Sequence, residues 1–164
     1  MSLFTNIAGV IHLIGLFTMY SLPILFRNKI SYTLFILVYT LTPISWMLCK
    51  DECFISYFVK KFNNPDYKLG DSPDDYNDII QLVNDKNRLE IVYTAMTTVE
   101  LISLFIVQQS TPKIDPFIFF IVAVLRTLYG YDISWKMNIR KSGYPYIKGI
   151  TLFSFITLLY QYFK

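Results

Sequence analysis

The chain has 164 residues, of which 54% are hydrophobic, 18% aromatic and 16% charged, with a net charge of +3. Soluble domains carry about 25% charged residues, and here the shortfall falls in long uncharged runs, which excludes an ordinary soluble globular fold. The small, scattered positive balance excludes a nucleic-acid-binding face. One histidine, two cysteines and no Gly-rich phosphate loop leave no familiar catalytic motif.

Leu3 to Phe26 is 24 residues without a formal charge, more than the roughly 20 that cross a bilayer core. It has no basic leader and no small-residue cleavage site, so it reads as a retained signal-anchor helix. Arg27, Asn28 and Lys29 make a polar turn into a second span, Ile30 to Cys49. Pro43 is expected to kink that span, with Thr40 and Thr42 near the freed carbonyls. Trp46 is expected to be an interfacial aromatic anchor.

Lys50 to Arg88 is the one substantial stretch outside the predicted spans. Phe54, Ile55, Phe58, Val59 and Phe62 fall on one helical face, opposite Asp51, Glu52, Ser56, Lys60 and Lys61. That spacing predicts an amphipathic helix over Asp51 to Phe62, lying in the headgroup plane. Asn63 to Asp78, dense in Pro, Gly, Asn and Asp, reads as loop. Asp78 is placed to cap a helix from Ile79 that runs on into the third span, Glu90 to Gln109. A hairpin at Ser110 to Asp115 leads to a fourth span, Pro116 to Trp135. A basic connector (Lys136, Arg140, Lys141, Lys148) leads to a fifth and shortest apolar run, Gly149 to Phe163.

The fold class expected is therefore all-α: a polytopic transmembrane bundle of five spans, with four as the alternative, and one interfacial amphipathic helix. Three regions follow: 1–49 with two spans, 50–88 exposed, and 89–164 with three spans. Counting Lys and Arg outside the spans puts ten on the side of the 50–88 segment and four on the other. The positive-inside rule then predicts the N-terminus and that segment on the cytoplasmic face.

Ionisable groups at membrane depth are the strongest constellation. Glu100 lies 12 residues before Pro112 and Arg126 14 after it, so both sit roughly 18 to 21 Å from one surface on antiparallel helices. An unpaired charge at that depth costs about 2.5 to 3.5 kcal/mol on insertion scales, which predicts a Glu100–Arg126 ion pair. His12 reaches middle depth in the first span, and Glu90, Thr94, Thr97 and Glu100 trace one face of the third. Such a stripe can line a proton or ion path or act as interhelical glue. One deep acid and one histidine are thin for a relay, so glue is favoured.

Cys49 and Cys53 are expected to be reduced, with acylation of a juxtamembrane cysteine as the alternative. With one histidine they form no zinc set, and Asp71, Asp74, Asp75 and Asp78 lack calcium-loop spacing and read as a solvated acidic loop. No metal, cofactor or small-molecule substrate is expected. Tyr129, Tyr131, Tyr144, Tyr146, Tyr160 and Tyr162 lie near span ends, where aromatic belts form. The bias toward Ile (21), Phe (14), Tyr (13) and Lys (11), with three Ala, points to an AT-rich genome.

The stretch from Trp46 to Gly70 carries Trp46, Glu52-Cys53, Ile55-Ser56-Tyr57, Lys60-Lys61 and Tyr67-x-Leu69-Gly70, after a first span with a histidine. It resembles uncharacterised small multi-span membrane proteins encoded by large double-stranded DNA viruses of algae and protists. The helix order also looks like a cellular family of small integral membrane proteins of unknown function. The viral resemblance implies a non-enzymatic structural component of the virion, tying its internal membrane to the capsid shell. The partners it implies are the lipid bilayer and capsid or other membrane proteins, met through a loop of Lys60, Lys61, Tyr67, Lys68, Asp71, Asp74 and Asp75. The competing expectation is a small channel or transporter using His12, Glu100 and Arg126.

Overall fold

Long apolar runs divided by short polar turns leave the backbone one way to satisfy its own hydrogen bonds without water, which is to form helices. The computed structural model describes residues 3–72, 86–135 and 146–164. Among these are six helices and no strand: α1 (Leu3–Leu25), α2 (Lys29–Leu48), α3 (Phe54–Asn63), α4 (Lys86–Ser110), α5 (Pro116–Trp135) and α6 (Tyr146–Phe163). The expected cap at Asp78, the helix start over 79–85 and the basic connector over 136–145 lie outside the described residues.

Local chemistry sets the boundaries. The Asn28 side chain accepts from the Ser31 amide at 2.9 Å and starts α2, as a good N-cap does. At the other end, Lys50 and Asp51 adopt φ of 54° and 67°, a left-handed conformation that ends a helix and reverses the chain. This turn delays α3 to Phe54, three residues later than the amphipathic pattern suggests. Pro116 opens α5 in the first helical position, where its missing N–H has no partner to lose. The Asp115 carboxylate accepts from the Phe117 amide at 2.9 Å beside it. Within α2, the Thr40 hydroxyl donates to the Ile36 carbonyl at 2.7 Å.

The five long helices close into a ring: α1 packs on α2 and α4, α4 on α5, α5 on α6, and α6 on α2. The described helices of regions 1–49 and 89–164 thus build one bundle, and α3 leans on α1. At one end Ser110 donates to the Tyr32 hydroxyl (3.2 Å), the Asp115 amide to Gln161 (3.2 Å), and Thr33 meets Tyr162 (3.0 Å). At the other end Asp51 pairs with Lys148 at 2.9 Å and accepts from the Tyr129 hydroxyl.

Phe35, Ile36, Tyr39, Val107, Val122, Phe155 and Leu158 fill the centre with essentially no exposure. The outside is apolar as well: Ile11 is 66%, Phe105 64% and Phe153 72% exposed. Soluble monomers rarely present so much contiguous apolar surface, and a lipid exterior explains it. Three helices are long and apolar enough to cross a membrane, over Ile7–Leu25, Lys29–Leu48 and Glu90–Ser110, and Pro116–Gly130 is a shorter apolar helix.

Candidate functional site

Two buried acid–base clusters, one inside the bundle and one beneath the loop after α3, hold most of the buried charge among the described residues. In the bundle, Arg126 on α5 donates through Nε to Glu100 on α4 at 3.0 Å and through a terminal nitrogen to the Tyr20 hydroxyl on α1 at 2.7 Å. Its guanidinium also lies 4.9 Å from the Trp46 ring centre and 5.9 Å from that of Tyr39, so three ring neighbours and a carboxylate enclose one cation. Cation–π contact and hydrogen bonding act together when such a group is cut off from water. Ser103 adds a hydroxyl bond to the Tyr20 carbonyl, tying α4 to α1.

This arrangement brings together the two groups expected to pair, and separates them from the rest of the expected polar layer. His12 places its Nε2 3.6 Å from the Cys53 sulfur. Thr97 is half-buried, and Glu90 and Thr94 are exposed, so the stripe along the third span is buried only at Glu100. Trp46 is also turned from its expected role. It stacks on Tyr129 with ring centres 6.4 Å apart, facing the bundle rather than serving only as a rim anchor. Tyr129 is only 3% exposed and departs from the expected aromatic belt, whereas Tyr146 and Tyr160 are well exposed. The side chains of Tyr131 and Tyr144 lie outside the described residues.

The second cluster centres on Glu52, which has no exposed surface. Its Oε1 accepts from Lys60 at 2.7 Å and from the Tyr67 hydroxyl at 2.6 Å, and its Oε2 from the Gly70 amide at 2.9 Å. Lys60 donates onward to the Ser72 carbonyl at 2.6 Å. One carboxylate thus gathers the start, the helix and the far end of the 52–72 segment. Gly70 is required there: its φ is +88°, and a Cβ would stand 2.8 Å from a Lys50 side-chain carbon.

The expectation that Lys60 and Tyr67 face a partner is therefore corrected. Lys60 is 4% and Tyr67 9% exposed, because Glu52 was swung inward by the left-handed turn and drew both to itself. Lys61 is half-buried and donates to the carbonyls of Pro65 and Tyr67. Lys68 and Asp71 are exposed, with the Lys68 amide donating to the Asp71 carboxylate at 3.0 Å. Asp74 and Asp75 lie outside the described residues.

Helix α3 is consequently inverted relative to a helix on a soluble protein. Ser56, Val59 and Lys60 face inward, while Phe54, Ile55, Phe58 and Phe62 are 54%, 42%, 51% and 63% exposed. Val59 alone among the expected apolar face is buried. An apolar outer face beside apolar α1 suits the headgroup boundary of a bilayer.

Sequence reasoning missed the role of Glu52 and the contact between Cys53 and His12. Glu52 was read onto the polar face of a helix that begins two residues beyond it. The only available signal was an acid followed by Lys60, Tyr67 and Gly70 within a Pro/Gly-rich loop. Cys49 and Cys53 are both free thiols. Burial acts to raise the Cys53 pKa, but the His12 contact and the amides of Ser56 and Ile55 outweigh it and hold the thiol below its ordinary value. No protein-family model, no curated protein and no solved structure matches the chain.

Proposed function

We propose that this chain is a non-enzymatic integral membrane protein whose five long helices all span the bilayer, and whose 50–88 segment meets a protein partner, with residues 50–72 forming a rigid cap. In line with the resemblance over 46–70, the partner is a capsid-shell protein and the membrane is the internal membrane of a large DNA virus. The ten-to-four distribution of basic residues supports a cap on the cytoplasmic-equivalent face.

The observation that carries this reading is the buried Glu52–Lys60–Tyr67–Gly70 network. It stiffens the cap from within and leaves Asp66, Lys68 and Asp71 on its surface, where a mixed set of charges favours a complementary protein face. Anchoring fits the bundle better than conduction. The deep charges are engaged with each other, and His12 contacts Cys53.

Amine-directed crosslinking of purified particles tests the proposal through the exposed Lys68. The expected result is many copies of the chain per particle and a recurring crosslink to one shell protein. Absence of the chain from purified particles, or crosslinks scattered over unrelated proteins, would overturn it.

A further inference from the structure

Cys53 and His12 come from different elements and meet where the chain turns out of α2 and into α3. Both are buried, at 8% and 6% exposed, and Cys53 shares an apolar cluster with Tyr129, Trp46 and Met47. Two features favour its thiolate. The imidazole Nε2 lies 3.6 Å away, and Cys53 stands at the N-cap of the ten-residue helix α3, where the helix dipole favours an anion. An imidazole partner and a helix N-terminus both favour the thiolate of a cysteine. Cys49, the other thiol, is less deeply buried.

The surroundings indicate the class of electrophile. Phe54, Ile55 and Phe58 in the first turns of α3 are exposed, and so are Ile7, Ile11 and Ile14 on α1, against which α3 leans. A hydrocarbon chain attached at the sulfur would have apolar side chains to follow toward the bilayer.

We propose that Cys53 is an acyl-acceptor site, a nucleophilic thiol that takes a long-chain acyl group from a thioester donor with His12 as its base. The inference goes beyond the anchoring role and depends only on the membrane placement of the chain. In the step, the Cys53 proton passes to His12 Nε2 and the sulfur pair attacks the donor's carbonyl carbon. The tetrahedral adduct collapses with cleavage of the donor's C–S bond, and the departing thiolate takes the proton from His12. One thioester is exchanged for another, with no net oxidation. The attached chain would add a covalent hold on the membrane beside the interfacial face of α3.

The test uses the purified full chain in detergent micelles with palmitoyl-coenzyme A and reads intact mass and peptide mapping. One palmitoyl group on Cys53, released by neutral hydroxylamine, is expected. Cys53→Ser should abolish it, Cys49→Ser should leave it, and His12→Gln should slow it about a hundred-fold. No adduct, an adduct confined to Cys49, or an unchanged rate in His12→Gln would overturn the proposal. Should His12→Gln fail to fold, iodoacetamide alkylation of the unaltered chain decides. The Cys53 rate should titrate with a midpoint below that of an ordinary cysteine thiol, and an ordinary or higher midpoint overturns the proposal. The anchoring role, read by crosslinking in particles, stands or falls separately.

Discussion

The bundle and the cap use the same three-part device, a buried carboxylate, a buried cation and a tyrosine hydroxyl, and they build it in opposite ways. In the bundle, Glu100, Arg126 and Tyr20 come from three helices, with 26 residues between the ion partners. In the cap, Glu52, Lys60 and Tyr67 lie within 15 residues of one another. The first device fastens helices that already fit by shape. The second holds a loop that has little apolar core of its own. Buried ion pairs add little when compared with an apolar substitute, yet removing one partner leaves a costly unpaired charge. The two clusters should therefore differ in what their loss disrupts.

The largest effect is expected for Glu52→Ala, which strands Lys60 and removes the acceptor for Tyr67 and Gly70. A loss of about 3 to 5 kcal/mol is expected, confined to the cap. It would appear as rapid proteolysis near Pro65–Ser72, with the bundle still helical in detergent. A cooperative loss of the whole helical signal would remove the distinction between the regions. Arg126→Leu should cost nearly as much, about 3 kcal/mol, but spread over the bundle, read as a lower midpoint of thermal unfolding. The double reversal Glu100→Arg with Arg126→Glu should recover part of what either single reversal loses. A double variant no better assembled than the singles would refute direct pairing.

Gly70→Ala sharpens the cap side alone. Its left-handed backbone and the nearby Lys50 side chain lead to an expected cost of about 1 to 3 kcal/mol, seen again as proteolysis of the cap. The smallest effects come from the tyrosines. Tyr20→Phe and Tyr67→Phe should each cost about 1 kcal/mol, in the bundle and the cap respectively. Tyr39→Phe should be neutral or stabilising, because the buried Tyr39 hydroxyl has no hydrogen-bond partner among the described residues. A clear destabilisation by Tyr39→Phe would mean that this hydroxyl is engaged after all.

The difference between the regions also governs what could be read from the sequence. The Glu100–Arg126 pairing was legible because straight helices convert residue number into depth, and a charge in lipid must find a partner at its own level. The ends of α1 and α2 were legible to within about a residue, from the polar turn at Arg27–Lys29 and the close of the apolar run at Cys49. The cap was not legible because its geometry begins at Lys50 and Asp51, whose positive φ angles no side-chain pattern announces. With that turn unseen, the helical wheel placed Glu52 and Lys60 in solvent. Helical periodicity correctly grouped Phe54, Ile55, Phe58 and Phe62 on one face, which the structure leaves exposed. The Cys53–His12 contact depends on the same turn, which carries the chain back to the level of α1.

The central claim is that the ring of helices is set in a bilayer with the cap at one end and the α4–α5 hairpin at the other. It is tested most directly by membrane-impermeant thiol labelling of sealed vesicles carrying either Lys68→Cys or Lys113→Cys, with Cys49 and Cys53 replaced by serine. The two positions are expected to be labelled from opposite faces of the membrane. Labelling of both from the same face would contradict the arrangement.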